Sequence, residues 1–181
     1  MQGILATYQI IPKDYGFEAR FELLNLLHDI SKNFPELERA KVVMRPGGFK
    51  GILLADLRDA LAEVEPERLE LIREEVWKEF RRRKSENAIR YIQRFIVLDA
   101  IVETDIDKIA EAVRKLKDKV KGKWRITLKT RKYPIDRNLL IKKAAEPITL
   151  PVDLENPEYI VLIEILGNMT AIAILKQEEN L

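Results

Sequence analysis

Apolar and polar positions along this chain follow two rhythms, one of period two and one near 3.6. Residues 3–11 form an apolar, β-branched run that predicts a first strand. Phe17, Phe21, Leu24, Leu27, His28 and Ile30 then recur near helical spacing, and the helix must end before Pro35. Two short strands are predicted over 41–45 and 51–55, with Pro46-Gly47-Gly48 turning the chain between them as a hairpin. Pro66 suits the first turn of a second helix, whose apolar face is Leu69, Ile72, Val76, Trp77 and Phe80. Arg81-Arg82-Arg83-Lys84 closes it with cations that complement the helix dipole. The order strand–helix–strand–strand–helix, completed by one more strand, is that of a small ferredoxin-like α+β unit.

The second half repeats the alternation of helices and strands. Residues 89–97 predict a strand with Tyr91, Phe95 and Val97 on one face and Arg90 and Arg94 opposite. Thr104-Asp105-Ile106-Asp107 resembles a capping box, and Ile106, Ile109, Val113, Leu116 and Val120 line one face of a helix over 106–121. Gly122 stands where that helix should stop. Residues 124–131 give the clearest strand, with Trp124, Ile126 and Leu128 inward and Arg125, Thr127, Lys129 and Arg131 outward. Asp136 is placed to cap a further helix carrying Leu140, Ile141, Ala144 and Ala145. Two final strands, 159–165 and 171–175, flank Gly167-Asn168, a hairpin signal.

Charge changes this picture. Residues 1–80 hold 11 Lys/Arg against 15 Asp/Glu, whereas residues 81–181 hold 21 against 15. Residues 108–143 alone hold 14 basic against 3 acidic side chains, a concentration that suggests a polyanionic partner. The composition changes sign near Lys84-Ser85, so the domains are expected at 1–84 and 85–181. With no cysteine and one histidine, disulfides, thiol catalysis and Cys/His zinc sites are excluded. His28 reads as a structural or solvated side chain, and no Asp-rich loop has magnesium or calcium spacing. No apolar run approaches the roughly 20 residues of a membrane span, and the first residues lack signal-peptide character, so a cytoplasmic protein is expected. A charged fraction of 34 % matches the ion-pair-rich surfaces of hyperthermophile proteins.

The C-terminal half resembles the THUMP domain of tRNA-modifying enzymes and their helpers. The likeness rests on an order of parts: the helix over 106–121, the basic strand Trp124-Arg125-Ile126-Thr127-Leu128-Lys129-Thr130-Arg131-Lys132, and a short helix over 138–146. The phrase Val152-Asp153-Leu154-Glu155-Asn156-Pro157 and the closing hairpin complete it. The resemblance covers about residues 85–181, and THUMP domains often follow a ferredoxin-like domain. It therefore implies an N-terminal ferredoxin-like domain followed by an α/β THUMP domain. Within the family the chain is most similar to stand-alone archaeal and eukaryotic proteins, one branch of which assists a tRNA cytidine acetyltransferase. Phe95-Ile96-Val97-Leu98-Asp99 followed by Thr104-Asp105-Ile106 resembles the lead-in of that group.

The pyrophosphatase loop of 4-thiouridine synthetases, the Gly-rich methyltransferase signature and the His/Cys motif of deaminases are missing from the sequence. The resemblance thus implies a tRNA-binding accessory protein without catalytic residues, cofactor or metal. It would present the acceptor end to a separate enzyme, with the cytidine N4-acetyltransferase as the expected partner. An adaptor for thiolation or methylation, and a protein–protein module meeting an acidic partner, are the alternatives. The expected RNA surface is strand, turn and helix. Arg125, Lys129 and Arg131 share one strand face, on which successive outward positions lie about 7 Å apart, Lys132 and Arg137 flank the turn, and Lys142 and Lys143 follow on the helix. Tyr133 could stack on a base or serve the core. Lys115, Lys117, Lys119, Lys121 and Lys123 spread around a helix and read as a solvated face. Gly48-Phe49-Lys50-Gly51 matches a KH-type clamp but is flanked by strands, so a hairpin turn is the expectation.

Overall fold

A computed structural model describes residues 1–179. The chain divides into two compact units, Met1–Val97 and Leu98 onward. The first contains β1 (Gly3–Tyr8), α1 (Gly16–Ser31), β2 (Lys41–Met44), β3 (Ile52–Asp56), α2 (Pro66–Ser85) and β4 (Ile92–Leu98). Its sheet runs β2-β3-β1-β4, and β1 and β2 each pair antiparallel with β3. This is the ferredoxin-like arrangement that the sequence pattern implies.

Period-two alternation sends one face of each strand into the core. Ile4, Ala6 and Tyr8 of β1, Leu53 and Ala55 of β3, and Phe95 and Val97 of β4 share a cluster with the buried faces of both helices. From α1 come Ala19, Leu23, Leu26, Leu27 and Ile30, and from α2 Ile72, Val76, Trp77 and Phe80. Phe80 and Phe95 stack with centroids 4.0 Å apart, and Trp77 meets Phe95 edge-on at 5.6 Å. The two helices are also tied electrostatically, because Arg83 on α2 bonds both Asp29 on α1 and Glu79 one turn back. Glu22 on α1 accepts the backbone N–H groups of Tyr91 and Ile92 at 2.8 and 3.0 Å, which fixes the start of β4.

The units divide between Val97 and Leu98, not near Lys84-Ser85 where the charge changes sign. The reason is strand pairing: β4 is the fourth strand of the first sheet, so all of it but its last residue belongs to the first unit. Charge marks which surfaces are solvated, not where hydrogen-bonded neighbours end.

The second unit contains β5 (Ala100–Glu103), α3 (Ile106–Leu116), β6 (Trp124–Lys129), α4 (Arg137–Ala145), β7 (Tyr159–Leu166) and β8 (Met169–Lys176). The sheet order is β5-β8-β7-β6, with β7 parallel to β6 and antiparallel to β8. Gly167, at φ 67°, makes the tight β7–β8 connection that the Gly-Asn pair predicts. Val161, Ile163 and Ile165 of β7, Ile172 and Ile174 of β8 and Trp124 of β6 pack with Ile109 and Val113 of α3 and Leu140 and Ala144 of α4.

Several boundaries differ from the pattern. β5 is not evident from sequence, because only Asp99 separates it from β4 and the two read as one run. α3 stops at Leu116 and tightens into a 3₁₀ turn over Lys117–Lys119 instead of continuing to 121. Its cap is Asp105, whose carboxylate accepts the Lys108 N–H at 2.9 Å. Thr104, in the expected cap position, instead donates to the Gly167 carbonyl at 2.7 Å. Asp136 caps α4 as expected, accepting the Leu139 N–H at 3.0 Å.

Candidate nucleic-acid interface

The basic segment of the second unit begins on β6. Trp124 is 1 % exposed and joins the core, with Ile126 and Leu128 packed partly against it, so the inward face of the strand is as expected. The Trp124 indole N–H donates to the Leu150 carbonyl at 2.9 Å, and its backbone forms a parallel bridge to Val152. The Val152-Asp153-Leu154 phrase thus lies along the outer edge of β6. Asp153 closes the turn that follows by accepting the N–H groups of Asn156 and Glu155, which hold its carboxyl below the usual carboxylate range.

The outward face of β6 is less open than alternation implies. Arg125, Thr127 and Lys129 are half-buried. Arg125 spends one guanidinium donor on the Leu154 carbonyl at 2.9 Å. Lys129 stands beside Glu164 in the parallel register of β6 and β7.

Arg131 is the main correction. The strand ends at Lys129, so Arg131 does not continue its outward row. Instead its guanidinium donates to Glu164 at 2.6 Å, and the side chains are 20 % and 0 % exposed. Arg131 and Lys132 both adopt left-handed backbone, at φ 48° and 63°, and the Tyr133 N–H closes the turn onto the Thr130 carbonyl at 2.9 Å. Left-handed backbone costs a residue with a Cβ roughly 1–2 kcal/mol, so two in succession need anchoring. The anchors are Arg131 against Glu164 and Tyr133, which packs on the core with Ile135. Tyr133 is therefore half-buried and takes a structural place.

Between these anchors Lys132 is exposed. Arg137, in the first turn of α4, is also exposed and donates to the Thr130 hydroxyl at 3.3 Å, returning to the same turn. Lys142 is exposed farther along α4. Lys143 pairs with Asp107 at 2.8 Å, which raises its pKa through the hydrogen bond and then the opposite charge. Lys119 of the lysine-rich stretch is tied to the buried Asp99 at 2.9 Å. The seven expected residues thus separate into two groups. Lys132, Arg137 and Lys142 present cations to solvent, while Arg125, Lys129, Arg131 and Lys143 are half-buried.

The buried acids Asp99 and Glu164 are what sequence reasoning missed. The signal was present, since Glu164 interrupts the apolar strand Tyr159–Leu166 and a buried charge needs a partner. Among the described residues no group of three or more His, Asp or Glu side chains could hold a metal ion. No helix there is long and apolar enough to cross a membrane.

A ferredoxin-like unit followed by this α/β unit is a fold shared with solved THUMP-domain structures. The chain matches PH1313 from Pyrococcus horikoshii with a TM-score of 0.59 and 18 % identity, over 97 % of this chain and 55 % of that one. It matches a 4-thiouridine synthetase, crystallised with RNA and ATP, with a TM-score of 0.57 and 14 % identity, over 97 % and 41 % of the two chains. TrmN from Thermus thermophilus gives a TM-score of 0.51 and 16 % identity, over 96 % and 45 %. The chain therefore spans between 41 % and 55 % of the length of these proteins, and what it shares with them is the fold. No protein-family profile and no curated protein matches its sequence.

Proposed function

We propose that this protein binds tRNA along the turn-and-helix edge carrying Lys132, Arg137 and Lys142. In this reading it has no catalytic centre of its own and presents the acceptor end to a separate modifying enzyme, the cytidine N4-acetyltransferase. The observation that carries the RNA claim is that Lys132, Arg137 and Lys142 are all exposed, one on an anchored turn and two on the helix that follows it. A fold shared with a 4-thiouridine synthetase crystallised with RNA supports it. The accessory role and the acetyltransferase partner rest on the sequence resemblance.

An unmodified tRNA transcript titrated at several salt concentrations tests the binding surface. Each phosphate contact contributes about 0.7 to 0.9 to the log–log salt slope. The combined variant Lys132→Ala, Arg137→Ala, Lys142→Ala should bind less tightly, with a slope shallower by about 2 to 3. Arg131 is omitted because its removal disturbs a buried pair as well as a charge. Unchanged affinity and slope would show that RNA binds elsewhere or not at all. For the partner, adding the protein to a cytidine acetyltransferase from the same source should lower the tRNA concentration needed for N4-acetylcytidine formation, since tethering raises the local substrate concentration. Stimulation of a thiolation or methylation enzyme instead would reassign the partner and leave RNA binding intact.

A further inference from the structure

The buried carboxylate of Glu164 lies behind the proposed RNA edge, not on it. It sits in β7 with 0 % side-chain exposure, and it receives Arg131 from the turn after β6 at 2.6 Å. We infer that Glu164 is a positioning residue for RNA binding: through Arg131 it holds the left-handed Thr130–Tyr133 turn that fixes where Lys132 and Arg137 present their charges. This rests on the reading of that edge as the RNA surface.

The argument is geometric. A turn whose two central residues both carry a Cβ and both lie in left-handed backbone is not favoured by its own local energetics. It persists where the surroundings determine it. Arg131, the first of the two, points inward to Glu164, and Lys132, the second, is exposed. Tyr133 closes the turn onto Thr130 and packs on the core. Thr130 in turn accepts a hydrogen bond from Arg137 at 3.3 Å, so the first residue of α4 is referenced to the same turn. The arrangement uses one cation of the basic segment internally to hold two others in place. A binding group held before the ligand arrives loses less conformational freedom on binding.

Glu164→Gln removes the charge that holds Arg131 while keeping an oxygen acceptor of similar size. The variant should bind the tRNA transcript about 3- to 10-fold more weakly, the loss expected when ordered side chains must be immobilised on binding. The Tyr133 amide, closed onto Thr130, should exchange with solvent faster. Binding and exchange are read at a temperature where circular dichroism shows the chain folded. If Glu164→Gln does not fold, Arg131→Lys serves, because it keeps the charge opposite Glu164 but not the reach and fork of the guanidinium.

A double-mutant cycle separates positioning from simple stabilisation. Lys132→Ala should weaken binding in the native background and have less than about half that effect, in logarithmic units, beside Glu164→Gln, although the residues are linked only through the turn. Additive effects, or native affinity in Glu164→Gln, would overturn the positioning role. Native affinity in the Lys132, Arg137 and Lys142 triple variant would instead overturn the RNA edge itself, so the two failures are told apart.

Discussion

Asp99 accepts one hydrogen bond on each carboxylate oxygen: from the Lys119 ammonium at 2.9 Å and from the Ile174 backbone N–H at 2.7 Å. Its side chain is fully buried, whereas that of Lys119 is 43 % exposed. The aspartate therefore anchors the 3₁₀ turn after α3 to the start of the second sheet. Asp99→Ala leaves a buried N–H without this acceptor, and should lower stability by about 2–4 kcal/mol. Urea unfolding measures it. A loss below about 0.5 kcal/mol, typical of surface changes, would show that the anchor contributes little.

Acid should weaken the C-terminal turns of α2 through Glu79, whose partners Arg82 and Arg83 lie on the same helix. Hydrogen bonds from Arg82 first, and also from Arg83, outweigh burial and hold its carboxyl at about 2 instead of the ordinary 4.5. A pKa depressed on folding gives stability that is fully present above about 4.5 and is lost as pH falls toward about 2. Glu79→Gln should therefore be less stable than the native chain at pH 6, with the difference shrinking as pH falls from 4.5 to 2. Denaturant midpoints at several pH values measure it. A difference that stays constant with pH would mean that Glu79 gains nothing from its two arginines.

Gly16→Ala sets helix propensity against space. In an open helix the change would favour α1 by up to about 1 kcal/mol. Here the added Cβ would come within 2.9 Å of both the Tyr8 hydroxyl and Asp14 Oδ1, and 3.0 Å of the Met44 methyl. Net destabilisation of about 1–3 kcal/mol is expected, seen as a lower melting temperature. A higher one would show that these neighbours give way freely.

Trp124→Phe removes the donor to the Leu150 carbonyl and leaves a void in the second core. The expected loss is about 2–4 kcal/mol. Because the Asp153 N–H bonds the Trp124 carbonyl at 3.0 Å, its hydrogen exchange should accelerate beyond the change at Ile163 in mid-β7. Equal acceleration at both would indicate general loosening instead of release of the 150–154 segment.

Elements with strong periodicity were legible from sequence, and so was the topology of the first unit. The helical spacing of Leu69, Ile72, Val76, Trp77 and Phe80 marks α2, and Pro66 its start. Gly167-Asn168 marks the final hairpin. β5 was not legible, because four residues beyond a single Asp carry no rhythm of their own. Only pairing with β8 distinguishes them from an extension of β4.

The candidate site divides along the same line. The sequence by itself determined that cations concentrate between residues 108 and 143, and that β6 turns Trp124, Ile126 and Leu128 toward a core. Composition and period two are local properties, and they suffice for that. Which cations face solvent was decided by tertiary structure. Arg131 and Glu164 lie 33 positions apart and Lys119 and Asp99 lie 20 apart, and only folding brings each pair together. A buried carboxylate demands a nearby positive charge, and the geometry of the sheet selects which one supplies it.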